Sequence, residues 1–447
     1  MSSVKRGILS LLSSQVLSTV LYFVISIYNT RILGPAGKGE FSIFFNANSL
    51  FATFASFSLG HAVIYFSANE KIPIGRLVIT IGSFFAFLTL LSFGSLLGLQ
   101  SLNLSHLVFP ENHSTRFDQI IFTFLLFLNL FCNYMTCFLN GRKFFISFSA
   151  SYVIPALIAA FWYAGIYYLG WQWIGLDAYT IVVFTTVATS VIHLTLTTFF
   201  FTKQIGLQQD WTFCNADEIK HILSFVSFVY LTNLIQFLTF KIDLWIVDHY
   251  QPKEIVGIYS LAVSLAQLIW IIPQTIGNVL LSFTSSDSES QAITRTMTLG
   301  KILFPVMFLL ALGMIGGLYF MIPLIYGKDF SHATYIISIL MIGVVPYSMY
   351  YLFQTYLISR NKHYFNMVAT GISLVTVILF DLLLIPAFQE TGAAFAAAIS
   401  YIAGTMVMLY FFLKTTKLPF RSFLGLTEAE KNEWKRMKSV ILAKIGK

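Results

Sequence analysis

Hydrophobic and polar positions along the chain separate into twelve apolar runs of membrane-crossing length, a span needing about 20 predominantly apolar residues. The first six are Ile8 to Tyr28, Phe41 to Ala68, Leu77 to Leu99, Gln119 to Leu139, Ile146 to Leu169 and Tyr179 to Phe201. The second six are Ile222 to Val247, Val256 to Phe283, Ile302 to Tyr326, Ala333 to Ile358, Tyr364 to Pro386 and Gly392 to Leu413. No connection is longer than the 20 residues of 202–221, which leaves no room between spans for an extramembrane catalytic domain. The pattern predicts an all-α polytopic membrane protein with twelve transmembrane helices in two six-helix halves, 1–210 and 211–414. A basic amphipathic tail, 415–447, follows.

Composition agrees: 57% of residues are hydrophobic, only 10% are charged, and the mean hydropathy is +0.77, whereas roughly a quarter of an ordinary soluble chain is charged. The net charge of +8 marks topology and excludes a nucleic-acid footprint. With the N-terminus in the cytoplasm, 21 of the 27 Lys and Arg lie inside, so the positive-inside rule places both termini there. In the tail, Thr427 and Glu430 form a capping-box pattern that opens an interfacial helix. Cys132, Cys137 and Cys214 have neither disulfide nor metal-ligand spacing.

Six spans per half is an even number, so both halves enter from the same side. They are expected to be related by a pseudo-twofold axis along the membrane normal, the plan of parallel repeats that rock in alternating access. An ungapped shift of 218 lays Gly39 on Gly257, Phe41 on Tyr259, Ser42 on Ser260 and Leu50 on Leu268. Polar stripes follow the same shift. Asn46, Ser49, Thr53, Ser56 and Gly60 are spaced for one helix face, as are Ser260, Ser264, Gln267, Gln274 and Asn278. Ser14 and Ser18 map onto Thr232 and Gln236. Such stripes also glue helices together in bilayers. Four in matching register predict a water-filled cavity.

Between the first two apolar runs, residues 30–44 read TRILGPAGKGEFSIF. This stretch resembles the Arg-Leu-Leu-Gly-Pro-x-Gly-x-Gly signature of polysaccharide transporters, the O-antigen and exopolysaccharide flippases of the multidrug/oligosaccharidyl-lipid/polysaccharide (MOP) superfamily. Residues 241–280, 322–333 and 381–400 resemble the family in the same order. At Asp381 this chain departs from the asparagine common there. The resemblance implies a MOP/MATE-like fold and a flippase, not an enzyme. Its cargo would be undecaprenyl-pyrophosphate-linked oligosaccharide, moved from the cytoplasmic to the periplasmic leaflet of a bacterial inner membrane. It implies a proton or sodium gradient and no cofactor, with membrane lipids, a polysaccharide polymerase and chain-length machinery as partners.

Candidate residues follow from both readings. Arg31 and Lys241 are the cations for a pyrophosphate, with snorkelling to head groups as the plainer use. Asp243 interrupts an apolar run and is the candidate for ion coupling. Gly34, Pro35, Gly39, Gly257 and Pro273 are candidate gate or hinge positions. Asp248, which the shift places on Thr30, would pair with Arg31 across an outer mouth. Stretch 29–44 itself reads as a loop between the first two spans. Gly34 to Gly39 lacks the spacing of a phosphate loop. A cation-coupled, MATE-like drug exporter and a membrane polysaccharide polymerase are the alternatives, and a polymerase would be expected to carry a long extramembrane loop.

Overall fold

The computed structural model describes residues 2–68, 72–110, 113–170, 175–206, 210–284 and 287–423, the side chains of 2–15, 68, 225, 228, 229, 282 and 423 excepted. The helices are α1 (Ser2–Ser56), α2 (Leu59–Ala68), α3 (Ile74–Ser101), α4 (Arg116–Gly141), α5 (Phe145–Leu169) and α6 (Ala178–Ile205), then α7 (Ala216–Tyr250), α8 (Lys253–Gln267), α9 (Ile271–Thr284), α10 (Glu289–Ile325), α11 (Ala333–Ser359) and α12 (His363–Thr416). Among the described residues, nine stretches are long and apolar enough to cross a membrane. Two of these, Val16–Ser56 and His363–Thr416, are each divided by a non-helical residue, Gly34 and Gln389. With the 35-residue α7 the crossing segments number twelve.

Gly34 corrects the reading of 29–44 as a loop. The chain is helical on both sides of this one residue, whose φ of 66° and ψ of −178° lie where essentially only glycine goes. No atom lies within 4 Å of a Cβ built there, so backbone conformation alone demands glycine. Pro35 then starts the next helix with the φ a first turn needs and without an N–H to satisfy. The shift of 218 carries Gly34 onto Pro252, which precedes the first residue of α8. The Phe41 to Ala68 run is also divided: Phe57 and Ser58 have positive φ (44° and 53°) and separate α1 from α2. Gly60 therefore belongs to a different helix from Asn46, Ser49, Thr53 and Ser56.

The chain forms two compact units, Met1–Phe237 and Leu238–Lys447. Their division falls inside α7 and not at 210–211, because the start of α7 is fastened to the first unit. The Arg76 guanidinium meets Asp210 at 2.7 Å and Glu218 at 3.4 Å, Asn233 donates to Ser58, and Tyr230 stacks on Phe57. Hydrogen bonding by Thr212 and Arg76 holds the Asp210 carboxyl below its ordinary range. A carboxyl lowered in this way adds stability above its unfolded pKa and loses it as pH falls through the folded value. Arg76→Ala is expected to speed proteolysis within 206–215 at neutral pH, and acidification should narrow the difference from the parent. The tail pattern at Thr427 and Glu430 lies outside the described residues.

Contacts within each unit follow the alternation that a chain crossing at every span requires. In the first, Arg31 before the 1–2 break meets Tyr167 at the end of span 5, and His113 of the 3–4 connection lies 3.6 Å from Asp177 of the 5–6 connection. In the second, His332 before span 10 meets Glu390 beside the 11–12 break at 2.8 Å, and Arg360 donates to the carbonyls of Asp287 and Ser288 between spans 8 and 9.

The core of the first unit gathers Leu126, Leu130, Tyr134 and Phe138 of α4 against Leu77, Ile81 and Phe85 of α3 and Val63 and Phe66 of α2. In the second, α11 is buried along most of its length. A Cβ on Gly343 would lie 2.5 Å from the Ala398 Cα, so α11 and the alanine-rich arm of α12 pack backbone to backbone. Gly343→Ala must push the two apart, and a loss of about 1–3 kcal/mol is expected in thermal unfolding, the usual range for overpacking. Leu309, Phe320, Leu324 and Phe161 are well exposed, as lipid-facing side chains would be.

Candidate functional site

In the second unit, α7 carries Asp243 into the interior, where it is 2% exposed. Both carboxylate oxygens are engaged: Oδ2 accepts from the Tyr259 hydroxyl of α8 at 2.5 Å and Oδ1 from the Leu244 amide at 2.8 Å. Lys241, half-buried two residues earlier, lies within electrostatic range. So does Asp381 of α12. Asp381 is wholly buried, and among the described residues no group donates a hydrogen bond to either of its carboxylate oxygens. An isolated ionised carboxylate in an apolar interior is costly by several kcal/mol. Two buried acids within electrostatic range of each other cost the fold less when one of them is protonated or its charge is compensated.

The sequence pointed to Asp243 but not to its partner, because Asp381 registered only as a departure from a family pattern. A lone carboxylate in an apolar run was the signal that could have found it. Tyr259 and Tyr401 carried no signal at all, since tyrosine is common at helix ends and interfaces.

The stripe on α8 and α9 is open. Ser264, Gln274 and Asn278 are exposed and Gln267 is half-buried, while Ser260 and Gly257 turn into the unit. Gln267 Nε2 donates to the Tyr401 hydroxyl at 3.5 Å and Gln274 Nε2 to the Tyr351 hydroxyl at 2.9 Å. Between the two glutamines the helix tightens into a 3-10 turn at Leu268–Trp270, just before the buried Pro273. Trp270 Nε1 donates to the Val344 carbonyl at 3.0 Å and pins that turn to α11.

The matching stripe of the first unit is less open. Asn46 is buried, and the hydroxyls of Ser49, Thr53 and Ser56, all half-buried, bond to carbonyls of Phe45, Ser49 and Thr53 in their own helix. Asn48, off the predicted face, does the joining: it donates to the Phe122 carbonyl and accepts from Asn129 of α4. Ser18 and Gln236 are half-buried, Thr232 and Gly39 are buried, and the side chain of Ser14 lies outside the described residues. Arg31 is exposed, donates to the Tyr167 hydroxyl at 2.8 Å and sits 5.7 Å from that ring, with Tyr28 alongside. Asp248 pairs with Lys253 at 2.5 Å across the short α7–α8 connection.

The profile of the family described as lipid II flippase MurJ matches residues 66–432, most of the chain. The chain belongs to the MurJ family. That is a family of transporters, so this protein is a multi-pass membrane carrier and not a catalyst. A curated relative, the probable low-salt glycan biosynthesis flippase Agl15 of Haloferax volcanii, is 24% identical over 210 residues, 45% of this chain. The match spans 42% of the length of that relative. Among solved structures, an inward-facing MATE multidrug-resistance transporter of the MOP superfamily superposes with a TM-score of 0.72 at 12% identity, covering 90% of this chain and 94% of that one. The lipid II flippase MurJ in an inward closed conformation gives 0.61 at 15%, covering 96% and 93%. A MOP superfamily transporter from Pyrococcus furiosus, described as having a binding pocket of reversed polarity, gives 0.63 at 13%, covering 92% and 96%. At these identities the likeness is one of fold, and for this MurJ-family chain it extends over nearly the whole length.

Proposed function

We propose that the protein is a flippase for lipid-linked oligosaccharide, moving undecaprenyl-pyrophosphate-linked repeat units from the cytoplasmic to the periplasmic leaflet of a bacterial inner membrane for O-antigen or exopolysaccharide synthesis. The observation that carries this reading is the stripe of amides and hydroxyls exposed on the membrane-spanning α8 and α9. Such groups are costly against lipid and useful against a hydrophilic cargo. Membership of the MurJ family and the partial similarity to a glycan flippase support the choice of cargo. The exposed stripe bears no carboxylate, which disfavours a cationic drug.

In this reading Asp243 and Asp381 couple transport to a proton or sodium gradient: a cation bound there in one state biases the unit toward that state. Arg31 and Lys241 meet the pyrophosphate, and both termini are cytoplasmic. Polymerase and chain-length proteins would take up the product. The test is reconstitution of the purified chain in vesicles carrying fluorescent lipid-linked oligosaccharide, with chemical quenching of the outer leaflet. Faster loss of protected signal under an imposed ion gradient is expected. No movement above protein-free vesicles, together with gradient-dependent efflux of a cationic dye, would replace this reading with the exporter.

A further inference from the structure

The carboxamides of Gln267 on α8 and Gln274 on α9 each lie within hydrogen-bond distance of a tyrosine hydroxyl. Gln267 and Gln274 each donate their NH2 to a tyrosine hydroxyl, Tyr401 and Tyr351 respectively, and among the described residues neither Oε1 receives a hydrogen bond. Close helix packing fixes this arrangement: a Cβ on Gly277 would lie 3.0 Å from Thr355 Oγ1 and 3.7 Å from the Tyr351 carbonyl, so α9 rides directly on α11. Tyr401 is 1% exposed and stacks edge-on with Trp270 at 5.2 Å, which keeps its hydroxyl from following the glutamine. Ser264 donates to the Ser260 carbonyl at 2.7 Å and so offers its oxygen as an acceptor as well.

From Ser264 to Asn278 the row of groups extends on the order of 20 Å along the helix, too long for one small ligand. It carries no formal charge. Lys253 and Glu254, the charged residues of α8, lie at its far end, and α9 has none. Asp243 and Asp381 are buried in the same unit and take no part in the exposed row. An uncharged row of a hydroxyl and three carboxamides, each offering donors and acceptors, matches the hydroxyls of a neutral glycan. It lacks the cations that hold a phosphate most strongly.

We propose that Ser264, Gln267, Gln274 and Asn278 form the sugar-binding face of the carrier, with Tyr401 and Tyr351 as positioning residues that orient the two glutamine carboxamides toward glycan hydroxyls. The inference rests on the flippase reading and deepens it: recognition of the sugar is assigned to α8 and α9 and is separate from recognition of the lipid phosphate.

The test uses the purified full chain in vesicles with two probes, undecaprenyl pyrophosphate bearing the oligosaccharide and the same lipid without sugar, and with free oligosaccharide as inhibitor. For the Gln267→Leu, Gln274→Leu double variant, transport of the sugar-bearing lipid is expected to fall about tenfold, as for the loss of two ordinary hydrogen bonds. Movement of the sugar-free lipid should stay within about twofold and half-inhibition by free oligosaccharide should rise about tenfold on the same grounds. Tyr351→Phe with Tyr401→Phe keeps both rings and should change the same ratio in the same direction. Equal losses for both lipids with a lowered melting temperature would make the row a packing seam and overturn the proposal. Unchanged transport and inhibition would overturn it as well. If the parent moves neither lipid, the flippase reading fails, and this inference fails with it.

Discussion

Asp381→Asn and Asp243→Asn are each expected to cut ion-driven transport on the order of tenfold or more, within the span of typical coupling energies, while only Asp243→Asn lowers stability. Asp243 accepts two hydrogen bonds, one from a buried tyrosine hydroxyl. Asparagine offers one acceptor where the carboxylate has two, so a loss of about 1–3 kcal/mol is expected. Asp381 has no hydrogen bond to lose among the described residues, and its burial as a charge is a cost to the fold. A neutral amide of the same shape should leave its stability unchanged or raised. The measurements are thermal unfolding and vesicle transport over a range of pH and sodium concentrations. Parental transport by both variants at every condition would remove the pair from the mechanism.

The second large effect concerns the two breaks. Gly34→Ala places a side chain on a backbone conformation that alanine does not adopt, and is expected to destabilise the first unit by about 1–3 kcal/mol. Gln389 already occupies a similar conformation, with φ of 56° and ψ of −139°, and it is not a glycine. Gln389→Gly should therefore stabilise the second unit by a similar amount, about 1–3 kcal/mol less the entropy glycine returns to the unfolded chain. Melting temperatures in one detergent decide the matter: one variant should fall and the other rise. The neighbouring Glu390 is held by His332 at 2.8 Å.

Much of this architecture was legible from the sequence because the bilayer imposes a one-dimensional rule. A segment that crosses must be apolar for a whole helix length, so the twelve spans and their pairing in two halves can be read by scanning along the chain. Local chemistry was readable too where it is covalently close, as in Gly34-Pro35, although the surrounding Arg31, Lys38 and Glu40 made that stretch look like a loop. Periodicity assigned Ser264, Gln267, Gln274 and Asn278 to one open face, where the structure leaves three exposed and Gln267 half-buried; it assigned Asn46 to an open face, where the structure buries it. Hydrophobic period says which residues share a side of a helix, and not whether that side meets protein or water.

What only the tertiary structure decided are the meetings between residues far apart in the chain. Asp243 comes within electrostatic range of Asp381, Gln274 finds Tyr351, His332 finds Glu390, and α7 begins in one unit and ends in the other. Each depends on the angle and depth at which helices pack, set by contacts such as Gly343 on Ala398 and Gly277 on Thr355. Sequence determines the number of spans and the faces they present, because the membrane acts on each helix separately; the site arises between helices, where the sum of many side-chain contacts chooses among packings that one helix cannot distinguish.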